Sequence, residues 1–150
     1  MLAERADQRP TAGVLSSAIW TERRPSNVAE RVRGLLVNPS DPSSNTIWTG
    51  SAGGGLWKGT NATGSSIQWS SANLFLTNLA VTTIASGPAS RPSALYCGTG
   101  EDYFNADAVQ GAGIWKSTDG GSIWAQLASI NNTNFACVQK VLVHPISGDV

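Results

Sequence analysis

One stretch, residues 111–124, constrains the fold of this chain more than any other. It runs Gly111-Ala112-Gly113-Ile114-Trp115-Lys116-Ser117-Thr118-Asp119-Gly120-Gly121-Ser122-Ile123-Trp124. Ile114 and Trp115 favour an extended backbone, and Asp119-Gly120-Gly121 is a strong hairpin signal. The stretch therefore reads as a strand, a tight turn and the start of a second strand. A weaker version stands earlier, in Gly55-Leu56-Trp57-Lys58-Gly59-Thr60-Asn61 followed by Trp69. A chain that repeats such a unit is expected to be all-β.

The remaining strands fall into the same order in each copy. In the first copy they are read at 31–37, 46–50 and 56–58, with a fourth beginning near Gln68-Trp69. The turn at 38–45 is rich in Asn, Pro, Ser and Asp, which fix the local backbone. In the second copy they are read at 79–85, 94–98, 113–116 and 124–127, with a long loop at 99–110. A third copy opens with a strand expected over 136–143 and ends in its first turn. Pro39, Pro88 and Pro145 mark equivalent turns, spaced by 49 and 57 residues. Four strands per period of that length predict the blades of a β-propeller. The expected division is a frayed or disordered lead at 1–18, then a partial propeller of about two and a half four-stranded antiparallel blades. Blade 1 covers about 19–76, blade 2 about 77–133 and the start of blade 3 about 134–150. Closed rings use about 4–8 blades, so the remaining blades are expected from the rest of a longer protein or from other copies of the chain.

Composition narrows the partners. Ten basic and ten acidic residues cancel, which argues against a nucleic-acid footprint or a polybasic membrane patch. No apolar run approaches the ~18 residues of a membrane span. Charged residues make up 13% of the chain, against a usual ~25%, while Gly and Trp are plentiful. This balance fits an exported all-β protein, secreted or on the cell surface. Residues 1–10 are polar and contain no apolar signal core, so a signal is expected upstream. Cys97 and Cys137 have no metal-binding spacing. They lie towards the same face of adjacent copies, either as a disulfide or as two free thiols. His144 stands where the other copies have Asn38 and Gly87, and is read as a turn residue.

Ser117-x-Asp119-x-Gly121-x-x-Trp124 matches every fixed position of the Asp-box, the bacterial-neuraminidase repeat of sialidases and sortilin-type receptors. In the first copy Asn61 replaces the Asp, and an insertion precedes Trp69. A wider resemblance runs from Trp20 onward. Arg24-Pro25-Ser26-Asn27-Val28, Arg31-Val32-Arg33 and Gly98-Thr99-Gly100-Glu101-Asp102-Tyr103-Phe104-Asn105-Ala106-Asp107 are similar to bacterial secreted propellers of the exo-α-sialidase-like, glycosyl-hydrolase-like or sortilin-like kind. Arg24 and Glu30 stand where that family usually has Gly. The resemblance implies a propeller whose Asp-box turns lie away from the active face.

Alternating strand direction places the first-to-second and third-to-fourth turns on one face, with Asp119. Arg31 and the 101–110 loop fall on the other. Long loops on rigid scaffolds concentrate binding residues, so Arg31, Glu101, Asp102, Tyr103, Phe104, Asn105 and Asp107 form the candidate ligand site. The loop is read in three ways: packing over a neighbouring blade, binding a sugar or peptide through its carboxylates and aromatic rings, or holding Ca²⁺. Calcium needs about 6–8 oxygens, of which this loop offers some. No other cofactor is indicated. Catalysis has weak support. The resemblance implies three substrate-gripping arginines for a sialidase, yet only Arg91 falls after Arg33. Glucan-cleaving relatives carry an acidic residue in early blade loops, and 50–55 contains none. The expected function is non-catalytic binding of glycan or protein. The alternative is a glycoside hydrolase with its catalytic residues largely outside this chain.

Overall fold

The computed structural model describes residues 31–72, 79–102, 108–130 and 133–150. They form two four-stranded antiparallel sheets, and neither sheet closes on itself. The first contains β1 (Val32–Val37), β2 (Ile47–Ser51), β3 (Gly55–Thr60) and β4 (Gln68–Ser71). The second contains β5 (Val81–Ser86), β6 (Leu95–Thr99), β7 (Ile114–Ser117) and β8 (Ala125–Gln126). Sequence order is spatial order in both sheets. Eight of the nine strands read from the sequence are present, shifted by a residue or two at their ends. Among the described residues there is no α-helix, only single 3₁₀ turns at Ala128–Ile130 and Thr133–Phe135.

The two sheets share their irregularities as well as their order. The β1–β2 register shifts between Val32 and Gly34, and the β5–β6 register shifts between Val81 and Thr83. A bulge of this kind adds one residue and bends its strand. The turns after the opening strands are closed alike, by Asn38 N–H to the Thr46 carbonyl at 2.9 Å and Gly87 N–H to the Ala94 carbonyl at 2.6 Å. In the third copy His144 N–H donates to the Asp149 carbonyl at 2.8 Å. All three positions thus donate a backbone N–H across a turn.

Successive units also dock alike. A Cβ on Gly50 would lie 2.5 Å from Val81 Cγ1, and one on Gly98 would lie 2.6 Å from Val138 Cγ1. Each glycine leaves room in a second strand for a valine of the next unit. A backbone bond accompanies each contact, Gly55 N–H to the Leu79 carbonyl at 2.8 Å and Gly111 N–H to the Ala136 carbonyl at 2.5 Å. Between the sheets lies one core of Trp48, Leu56, Val81, Ile84, Leu95, Cys97, Trp115 and Trp124. A second core gathers Ala94, Tyr96, Ile114, Val138 and Val141. Each large side chain so buried contributes about 1.5–3 kcal/mol.

The third copy departs from expectation. Residues 136–143 form no strand, although Val138 and Val141 are buried. A strand is defined by a ladder, and this segment makes only scattered bonds to the second unit. Val138 N–H donates to the Thr99 carbonyl at 2.9 Å, Val141 N–H to Thr83 Oγ1 at 3.2 Å, and Thr82 Oγ1 to the Val138 carbonyl at 2.5 Å.

Candidate functional site

The candidate site is built where the second unit's long loop leaves β6. Thr99 is fully buried; its hydroxyl donates to the Gly113 carbonyl at 2.8 Å and accepts from Ala112 N–H at 2.7 Å. These bonds tie the two ends of the loop together. Gly100 N–H bonds the Ala80 carbonyl at 2.9 Å, and Glu101 N–H bonds the Val109 carbonyl at 2.8 Å. From the third copy, Cys137 Sγ donates to the Glu101 carbonyl at 3.1 Å. The two ends of the loop are thus held by the second and third copies.

Arg31 joins that base from the first unit. Its Nη2 lies 2.9 Å from Glu101 Oε1, across 70 residues of sequence. The Glu101 side chain is 4% exposed and that of Arg31 is 62% exposed. The carboxylate is therefore covered and the guanidinium reaches it from the surface. Asp102, next along, is exposed. The structure brings Arg31, Glu101 and Asp102 to one end of the sheets. Tyr103, Phe104, Asn105 and Asp107 lie outside the described residues. Among the described residues no three His, Cys, Asp or Glu side chains converge on a metal position.

At the other end sits the Asp119 hairpin. Asp119 Oδ1 accepts from the Ser117 hydroxyl at 2.7 Å and from the N–H groups of Ser122 and Ile123, both at 3.0 Å. Ser117 Oγ accepts from Gly121 N–H at 2.9 Å, and Trp124 Nε1 donates to the Gly121 carbonyl at 3.1 Å. The Ile123 N–H, then the Ser117 hydroxyl and Ser122, hold the Asp119 carboxyl below its ordinary pKa. Asp119 Oδ1 and Ser117 Oγ are thus both engaged inside the turn. Gly120 N–H adds a bond to the Ser93 carbonyl at 2.9 Å, which places the hairpin beside the β5–β6 turn as strand alternation requires. In the first unit Asn61 works differently. It adopts φ of 59°, and its Nδ2 donates to the Ser66 carbonyl at 2.8 Å. Asn45 accepts the Thr63 N–H and hydroxyl instead.

A comparison with protein-family models, with curated proteins and with solved structures finds no match to this chain.

The two ends differ in surface chemistry. Beside the hairpin lies an open hollow of about 240 Å³, lined by Trp48, Lys58, Ser70, Ser71, Gly121 and Ser122. Lys58 Nζ sits 5.6 Å from the Trp48 ring centre, and Lys116 Nζ sits 5.3 Å from that of Tyr96. Trp48 pairs across the ladder with Lys58, as Tyr96 does with Lys116. Such cation–π pairs contribute about 0.5–1 kcal/mol at exposed sites. Sequence reading passed over them, although an aromatic and a Lys recurring at matched repeat positions was the signal. Cys97 and Cys137 are free thiols. His144 accepts the Ser147 N–H at Nδ1, 3.1 Å away, within its turn.

Proposed function

We propose that this chain is a segment of a β-propeller in an exported protein, and that it binds a glycan or protein ligand without catalysis. The binding face is the end bearing Arg31 and the 101–110 loop. What carries this reading is the Arg31–Glu101 ion pair at 2.9 Å. It couples the start of the first unit to the root of the second unit's longest loop. The root of the loop at Glu101 and Asp102 is so anchored, which lowers the ordering cost of binding there.

The blade reading draws support from the repeated bulge, the repeated turn closure and the two glycine-to-valine docks. Asp119 Oδ1 accepts three bonds within its own hairpin, which fits a locking role on the face away from the ligand.

The test is binding of the 1–150 chain to glycan and peptide arrays, beside an Asp102→Ala/Asp107→Ala variant. A ligand retained by the wild type and lost by the variant upholds the proposal. Unchanged binding by the variant overturns the site, and hydrolysis of sialosides or β-glucans above background overturns the non-catalytic reading.

A further inference from the structure

A buried donor at the hairpin end has no acceptor. Trp48 is 1% exposed, and its Nε1 finds no hydrogen-bond partner among the described residues. Trp57 and Trp124 donate theirs to the Gly54 and Gly121 carbonyls. Trp69 and Trp115 also lack a partner at Nε1, but neither lines the hollow beside the hairpin. Trp48 does, and so does Lys58, whose Nζ is 5.6 Å from the Trp48 ring centre. Among the described residues no carboxylate stands within ion-pair distance of that ammonium. The rest of the wall, Ser70, Ser71, Ala72, Gly121 and Ser122, contains no acid. A buried N–H without a partner asks for a group that the fold itself does not supply.

The second unit builds the corresponding hollow, of about 250 Å³, and it differs in charge. Tyr96 stands for Trp48, Lys116 for Lys58 and Ala125 for Ser70 in the ladders. Asp119 joins Lys116 in that wall, so the lysine there already has a carboxylate for company. Only the first of these two hollows combines an unopposed ammonium with an unpartnered N–H.

We infer that the Trp48–Lys58 hollow binds a carboxylate, carried by an acidic sugar or by the C-terminus of a peptide. One ammonium beside neutral donors matches a single negative charge rather than a dianion. Lys58 supplies the charge and Trp48 Nε1 a hydrogen bond, which an ionised acceptor strengthens. This site is separate from the loop face and goes beyond the proposed function. An uncharged ligand of the loop face leaves it untouched.

The test follows the indole N–H resonances of the 1–150 chain during titration with sodium glucuronate and with N-acetylglycine. Glucose and N-acetylglycinamide are the uncharged controls. The Trp48 resonance should shift saturably with at least one carboxylate and with neither control, while Trp57 and Trp124 stay in place. A response to glucuronate alone assigns an acidic sugar, one to N-acetylglycine alone assigns a peptide C-terminus, and equal responses assign the bare carboxylate; each upholds the site. Lys58→Met, which keeps the apolar stem, should weaken binding at least tenfold, and Lys116→Met should leave it unchanged. A Trp48 resonance that stays still, drifts without saturating or responds equally to the uncharged controls overturns the inference. So does undiminished binding by a folded Lys58→Met chain. Should Lys58→Met fail to fold, the wild-type titrations decide the matter.

Discussion

Gly121 packs against the indole of Trp48, and a Cβ on Gly121 would overlap Cζ2 and Cη2 of that ring. The contact joins the Asp119 hairpin of the second sheet to the second strand of the first. Trp124, from the same hairpin, meets Trp48 edge-on with ring centres 6.0 Å apart and planes at 75°. The motif therefore fastens one unit to another as well as closing its own turn.

Gly120 and Gly121 separate these two roles. Both have positive φ, 74° and 91°, but nothing lies within 4 Å of a Cβ on Gly120. Gly120→Ala should cost only the left-handed backbone penalty of about 1–2 kcal/mol. Gly121→Ala should add an overpacking cost of about 1–3 kcal/mol. Urea unfolding of both variants checks this, and equal losses would show that Trp48 yields freely.

Glu101 is buried beside an exposed Arg31, so removing the arginine strands a covered carboxylate. Arg31→Ala should destabilise by about 1–3 kcal/mol, towards the low end because water reaches the guanidinium site. Glu101→Gln, which keeps an acceptor for Arg31, should cost less. Hydrogen exchange at Glu101, whose N–H bonds the Val109 carbonyl, should quicken in Arg31→Ala. Unchanged exchange there would detach the ion pair from the loop root.

Much of the fold was legible because turns and docks are chemically specific. Pro39, Pro88 and Pro145 set the period, and Asp119-Gly120-Gly121 set the hairpin. The strand at 136–143 was misread because its two apolar triplets, 136–138 and 141–143, signal burial, which Val138 and Val141 achieve without a ladder partner. The Arg31–Glu101 pair was not legible as a contact. Both residues were chosen separately, for their end of the sheets, and the packing of β1 against β5 brings positions 70 apart within 2.9 Å. Gly50 and Gly98 were read merely as strand ends, since a docking groove leaves no pattern until its occupant is known.

Acid should loosen the turns first. Asp119 is held below its ordinary pKa chiefly by Ile123 N–H, and Asp41 chiefly by the Ser43 hydroxyl. With the folded pKa below the unfolded one, the unfolded chain binds more protons in between, so stability rises with pH there. The contribution is complete above the ordinary carboxylate value of about 3.9 and is lost as pH falls through the depressed folded values. Asp119→Asn should flatten part of that acid limb in a pH series of urea midpoints. An unaltered limb would remove Asp119 from it.

Burial pushes the Cys97 thiol up to about 12. Burial, and then the Asp102 charge, also raises Cys137, which is only partly covered. Thiol reagents at neutral pH should modify Cys137 slowly and Cys97 only on unfolding. Because the folded pKa of Cys97 is raised, its contribution is present below the ordinary thiol value of about 8.5 and declines as pH climbs towards 12. Rapid labelling of Cys97 in the folded chain would contradict its place in the core.

In the proposed function, ligand binds at the loop end and the Asp119 hairpin only locks. Amide chemical-shift mapping tests it most directly, with a ligand taken from the arrays and added to the labelled 1–150 chain. Shifts concentrated at Arg31, Glu101, Asp102 and Val109, with Lys58, Gly121 and Ser122 unmoved, are the predicted result. Shifts concentrated at Lys58, Gly121 and Ser122 would place binding at the opposite end and overturn the loop-end site.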